Sequence, residues 1–171
     1  MTKIYFTADT HFDHENIIGH CNRPFKNVGQ MNHALISNWN KVVQKKDIVF
    51  FLGDLSFNND DEFLKKLNGN IIHIKGNHDH GTTIIKEVLI KYGGKEWLLI
   101  HDSGIFYENK MKYCDIRYVL CGHVHEKWKH KRIKDKICVN VGVDVWNFKP
   151  ITIQDILTEI GGYNGNGRTT S

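Results

Sequence analysis

Apolar residues along this chain gather into six short runs: Ile4–Ala8, Ile48–Leu52, Ile71–Ile74, Trp97–Ile100, Tyr118–Cys121 and Ile137–Val141. Most are nearly continuous rather than alternating, the mark of strands covered on both faces. Between them the spacing turns helical. Met31–Val43 carries apolar residues at Met31, Leu35, Ile36, Trp39, Val42 and Val43, one stripe of a helix. Asp60–Leu67 predicts a shorter helix with Phe63, Leu64 and Leu67 inward, and Thr83–Lys91 predicts another. Thr152–Ile160 opens with T-x-x-D just after Pro150, a capping-box-like start. Strands alternating with helices predict an α/β domain. That domain covers residues 1–160, and the Gly-rich polar end, 161–171, reads as a flexible tail.

Composition narrows the class. With 40% apolar and 25% charged residues the chain has the balance of a soluble domain. No apolar run approaches the roughly 20 residues that span a bilayer. The N-terminus, MTKIYFTADTHF, enters a strand-like run without a signal-peptide pattern, so a cytoplasmic location is expected and no membrane partner. The four cysteines, Cys21, Cys114, Cys121 and Cys138, form no C-x-x-C pair and read as reduced, structural thiols. Much of the +4 net charge comes from Lys127–Lys136 (KWKHKRIKDK), a solvated hairpin or loop by its composition and the one feature that a nucleic-acid partner could use. Eleven histidines turn attention to metals and proton transfer.

The positions of the histidines and acids carry the chemistry. D-T-H (Asp9, His11) follows the first strand, G-D (Gly53, Asp54) the second, and G-N-H-D (Gly76 to Asp79) the third; His101 ends the fourth, and G-H-V-H (His123, His125) follows the fifth. Ligands in α/β sheets bind beyond the carboxyl ends of strands, so five strands deliver metal-type side chains to one edge. A carboxylate such as Asp54 can bridge two cations some 3.5–4 Å apart while neutralising charge between them. Two imidazoles at period-two spacing point the same way from an extended chain.

Taken jointly, D-x-H, G-D, G-N-H-D, H and G-H-x-H resemble the calcineurin-like metallophosphoesterase superfamily over nearly the whole chain, most closely the small single-domain bacterial and phage-type members. The resemblance implies a two-sheet β-sandwich flanked by helices, a four-layer αββα arrangement, and two divalent metal ions, Mn first, with Fe, Zn, Ni or Co as alternatives. It assigns Asp9, His11, Asp54 and His125 to one metal and Asp54, Asn77, His101 and His123 to the other, with Asp54 bridging. His78 stands beside them as the proton donor. The reaction implied is phosphoester hydrolysis by a cation-bridging hydroxide, on a small or nucleotide-like phosphodiester. Asn77, Arg23 and His14 are the candidates for substrate contact, the last two at its phosphate, and Pro24 stiffens their loop.

One departure from the resemblance matters. Phosphoprotein phosphatases continue G-D as G-D-x-x-D-R-G, whereas here Phe57 replaces the second Asp and the Arg is absent. That argues against a Ser/Thr phosphatase and leaves Asp79 as the candidate to orient His78. Two other functions fit the same fold: a metal-dependent nuclease, supported by the basic stretch, and a non-catalytic scaffold of the retromer type, opposed by the presence of every ligand position and His78. A homo-oligomer is compatible with the sequence. The other histidines, His20, His33, His73, His80 and His130, show no ligand spacing.

Overall fold

The computed structural model describes residues 1–79, 85–106 and 113–161. Two sheets face each other. In the first, β1 (Ile4–Thr7), β2 (Ile48–Phe51) and β3 (Asn70–His73) run parallel, and β9 (Ile151–Thr152) pairs antiparallel with β1, giving the order β3-β2-β1-β9. In the second, β5 (Lys95–Ile100), β6 (Tyr118–Cys121) and β8 (Lys136–Asn140) run parallel, flanked by antiparallel edges β4 (Glu87–Tyr92) and β7 (His130–Ile133).

The continuous apolar runs arise because both faces of each sheet are covered. Phe6, Phe50, Leu52, Trp97, Leu99, Leu120, Val139 and Val141 fill the space between the sheets. Their immediate neighbours point the other way. Tyr5, Val49 and Phe51 meet α1 (Asn16–His20), α2 (Val28–Val42) and α3 (Asp60–Leu64) through Ile17, Met31, Leu35, Trp39 and Phe63. On the far side, Leu98, Val119 and Cys138 lie side by side in register under Tyr113 and Ile116. α4 (Ile153–Ile160) buries Ile153, Ile156 and Ile160 at the margin of the inter-sheet core.

The structure moves several expected boundaries. α2 begins at Val28 rather than Met31 because the Asn27 side chain accepts the Gln30 N–H at 2.9 Å and caps it. α3 stops at Leu64: the next residues tighten into i→i+3 bonds, Lys66 N–H to Phe63 and Leu67 N–H to Leu64, although Leu67 stays buried. The capping box at Thr152 and Asp155 forms as the sequence predicts. Thr83–Lys91 is not a helix where it is described. Residues 87–91 belong to β4, with Val88 and Ile90 against the core; Thr83 and Ile84 lie outside the described residues, as do His80 and positions 162–171 of the expected tail. The basic stretch is the β7–β8 hairpin, but Lys136 is buried and donates to the carbonyls of Tyr113 (2.5 Å) and Ile116 (2.7 Å). Cys121 and Cys138 are buried, and all four cysteines are free.

The two sheets meet at one edge, where Ala8 bridges Gly142 and its carbonyl accepts the Val143 N–H at 3.1 Å; within each sheet the pairing continues past the strands, Leu52 N–H to Thr7 and Asp9 N–H to Gly53 in the first and Gly122 N–H to His101 in the second. This seam is where the polar clusters lie.

Candidate metal centre

Each cluster leaves its strand through a sharp turn. Asp9, His11, Asp54, His123 and His125 all have left-handed backbone, with φ of 58°, 49°, 60°, 70° and 48°. For a non-glycine residue this costs on the order of 1 kcal/mol each, and such strain persists where the surroundings over-determine it. Two glycines make the crowding possible. A Cβ on Gly122 would stand 2.6 Å from Asp9 Oδ2, and one on Gly76 would collide with the Asp54 carboxylate.

The result is a cluster of inward-facing acceptors. Asp9 is fully buried and its two carboxylate oxygens accept the His123 N–H at 3.0 Å each. Asp54 Oδ2 lies 3.5 Å from His11 Nε2 and 3.4 Å from His101 Nε2, while Oδ1 accepts the His78 N–H at 2.9 Å. Asn77 Oδ1 lies 2.8 Å from His101 Nε2 and 3.0 Å from His123 Nδ1. His11 and His125 bring their ring centres within 5.1 Å. Two groups, Asp9 with His11 and His125, and Asp9 with Asp54 and His101, hold ligand atoms within 4.8 Å of one another. All seven expected ligands therefore meet at one place.

The tautomers follow from the outer contacts. His101 Nδ1 is 2.6 Å from the Leu52 carbonyl, which can only accept, so Nδ1 carries a hydrogen and Nε2 is the atom turned inward, available to a cation once it gives up its proton. His125 Nδ1 is 3.0 Å from Asp144 Oδ2, which leaves Nε2 for the site. His11 Nε2 is buried without a hydrogen-bond partner. Lone pairs of imidazole, amide and carboxylate that face one another across a buried space fit a divalent cation of the borderline type.

The charge balance of the protein alone points the same way. Burial raises the Asp9 carboxyl to about 6, against the pull of His101 and His125. Burial lowers His11 to about 3, despite the Asp54 charge. For His101, burial pulls down, but the Asp54 hydrogen bond and the charges of Asp9 and Asp54 outweigh it and raise the group to about 9. For His125 burial again pulls down, and the hydrogen bonds of Asp144 and Cys21 together with the Asp9 charge outweigh it and raise the group to about 10. The cluster draws positive charge to itself.

Not every expected site residue reaches the centre. Arg23 does not face the opening. Its side chain is buried, Nε and Nη2 pair with the two Asp144 oxygens at 2.7 and 3.0 Å, and Nη1 and Nη2 donate to the carbonyls of Thr10 (2.8 Å) and Asp9 (2.7 Å). All three nitrogens are spent on the protein, so none is left for a phosphate. Nor does Asp79 orient His78. Its carboxylate accepts the backbone N–H groups of Asp54, Leu55 and Gly76 and meets His73 Nε2 at 3.0 Å, bracing the G-D turn. Those bonds, working against burial, hold its carboxyl well below the usual range. His78 is exposed, with its ring 5.7 Å from that of His11. His14 sits 5.4 Å from the His11 ring, and its Nδ1 is buried without a hydrogen-bond partner.

Asp144 is the residue that sequence reading missed. It pairs with both His125 and Arg23 and lies in V-G-V-D, just past β8. Its signal was position alone: an acid after the carboxyl end of a strand, like the other clusters.

Two facing sheets with carboxylate, amide and imidazole donors gathered at their strand ends define a metal-binding phosphoesterase architecture. The chain belongs to the calcineurin-like phosphoesterase superfamily, whose domain model matches residues 2–153. An uncharacterized protein of Methanocaldococcus jannaschii is 41% identical over 166 residues, covering 92% of this chain and 90% of that one. A crystal structure of a protein of unknown function from Aquifex aeolicus superposes with a TM-score of 0.71 at 26% identity, covering 94% of this chain and all of that one. Among the described residues no helix is long and apolar enough to cross a membrane.

Proposed function

We propose that this chain is a dinuclear metal-dependent phosphodiesterase acting on a small or nucleotide-like substrate. The observation that supports it most is Asp54 Oδ2, nearly equidistant from His11 Nε2 (3.5 Å) and His101 Nε2 (3.4 Å), between two sets of donors. Asp9, His11 and His125 would hold one ion together with Asp54, and Asn77, His101 and His123 would hold the other with it; manganese is the first choice. When bound, the pair would supply Lewis acidity toward phosphoryl oxygens and an activated water near neutral pH.

The remaining steps belong to the protein. Asp54 keeps the two halves in register, because His78 N–H and the Asp79-braced turn fix its position. Asn77, at the exposed side, and His14 contact the substrate phosphate. His78 sits at the rim, where its ring N–H donates to the departing oxygen. Arg23 acts through Asp144 on His125 and is a positioning residue. The basic stretch is divided: Lys129 and His130 pair with Glu159 at 2.8 and 3.1 Å and Lys136 is buried, while Lys127, Lys131, Arg132 and Lys134 are exposed. Four free cysteines accord with a reducing compartment, and we assign the cytoplasm.

Manganese-reconstituted protein assayed on bis-p-nitrophenyl phosphate tests this reading. His78→Ala should retain two metal equivalents and lose about 10²–10⁴-fold in turnover. Asp54→Asn should lose both metal and turnover. Hydrolysis that survives both substitutions overturns the reading.

A further inference from the structure

We propose that Phe57, backed by His14, is a stacking platform for a nucleobase, so that the phosphoester cleaved is that of a nucleotide. This rests on the phosphodiesterase reading above and names its substrate class.

Phe57 follows the G-D turn at the very edge of the metal centre. Its ring stacks on His14 with centres 4.9 Å apart and planes 16° from parallel, and His14 in turn lies 5.4 Å from the ring of the ligand candidate His11. His14 thus links the two: it stacks on Phe57 and meets His11 at a tilt of 50°. One face of Phe57 is covered by His14, yet the residue remains 56% exposed. Scattered exposed apolar side chains are ordinary. Of the other exposed large apolar residues among those described, Met1, Leu89 and Tyr92 belong to the N-terminus and to β4, and Ile85, whose carbonyl accepts the Lys75 N–H at 2.7 Å beside the G-N-H-D turn, has no aromatic face.

What sets Phe57 apart is how firmly it is presented. Its N–H donates to the Phe12 carbonyl at 2.8 Å, and the Phe12 N–H donates to Leu55 at 2.9 Å. Thr10 Oγ1 donates to the Leu55 carbonyl at 2.7 Å, and Ser56 Oγ to Asp60 at 2.6 Å. A ring that served only the core would collapse onto it. This one is held outward on a pinned loop, with its order already established before a ligand arrives, which lowers the cost of stacking. An aromatic face of this kind accepts any base, because every base has a π-face. Phe57 is separated from the candidate ligand His11 by the single ring of His14, so a base on it is within reach of a sugar and a phosphate at the centre.

The test is calorimetric titration of the manganese-loaded full chain with adenosine 5′-monophosphate and with ribose 5-phosphate, which differ only by the base. The wild type should bind the nucleotide at least fivefold more tightly, the lower bound of one stacked base. Phe57→Ala should bring the two affinities within twofold of each other, and Phe57→Trp should keep the preference. Equal affinities in the wild type, or a preference that persists in Phe57→Ala, overturn the platform. Turnover on bis-p-nitrophenyl phosphate is measured separately. A protein that discriminates the base but cleaves no ester under any divalent metal overturns the phosphodiesterase reading while the stacking site stands.

Discussion

The two halves of the proposed metal centre are built to different standards. Around Asp9 and His125 the outer contacts are dense: Asp144 holds His125 Nδ1, Arg23 holds Asp144, and the same guanidinium grips the carbonyls of Asp9 and Thr10. Around Asn77 and His123 the braces are few. Asn77 is exposed, His123 is half-buried, and their side chains meet each other and His101 rather than a second layer of acids. Only His101, on the Leu52 carbonyl, is fixed as firmly as the first half. A braced half holds its ion as part of the folded structure. An open half leaves room for exchange and for substrate. The difference ought to show in stability as much as in metal content.

The largest effect is expected at Asp144. Asp144→Ala leaves the buried Arg23 charge without its carboxylate and His125 without its orienting partner. Breaking a buried pair from one side costs about 3–5 kcal/mol. Loss of the His125 brace should weaken the ion of that half about 10–100-fold. Urea denaturation of the metal-free protein reads the first, and competition titration with a chelating dye reads the second. A metal-free protein as stable as the wild type would mean that the Arg23–Asp144 pair is not what makes this half rigid.

A second effect should run in the opposite direction. Asp9 is buried and its carboxyl is raised to about 6, above the roughly 3.9 of an unfolded chain. Between about pH 4 and pH 6 the unfolded state loses its proton while the folded state keeps it. The folded state then binds more protons, so metal-free stability falls as pH rises through this window. Above pH 6 the deficit is complete, up to about 3 kcal/mol. Asp9→Asn removes the titration. Without metal, the variant should therefore be more stable than the wild type at pH 7, by up to that amount, and as stable at pH 4. With manganese the order should reverse, because only the wild type gains from binding. Thermal melts at the two pH values, with and without metal, check both signs. The deficit is the cost of keeping an anion ready for a cation.

The braced half is also the one that sequence reading saw least well. That the candidate ligands would come together was legible, since each stands after an apolar run that needed no tertiary knowledge to recognise. Arg23 was expected to touch a phosphate and instead supports Asp144, because an Arg in a loop looks the same whether it is solvated or buried 121 residues away from its partner in sequence. Asp144 itself, in V-G-V-D, carries no motif, and only its place past β8 aligns it with the others. Asp79 was named for the right loop and the wrong neighbour: its three backbone donors become visible only when β2 and β3 pair. In the fold, β4 was misread because Ile84, Ile85, Val88 and Leu89 fall at helical spacing. The strand's own alternation, Val88 and Ile90 inward, is masked by an outward Leu89. β7 was hidden by its charges, which suit an edge strand that must resist pairing with other chains.

The smallest effect on stability, and the sharpest test of the comparison, is expected at His123. Its ring is half-buried and its side chain meets only Asn77 among the hydrogen-bond partners seen, while the backbone N–H that anchors Asp9 survives any substitution. His123→Ala should therefore shift metal-free stability by less than about 1 kcal/mol, as for other partly exposed sites without a buried network. Removing a direct ligand should weaken the open half at least as much as losing an outer brace does, about tenfold or more. After gel filtration the variant should retain close to one manganese equivalent where the wild type retains two, by atomic emission. Asp144→Ala should lose its ion from the other half together with several kcal/mol of stability. If the two variants instead lose metal and stability in parallel, the halves are one cooperative unit, and the asymmetry seen in their braces has no thermodynamic counterpart.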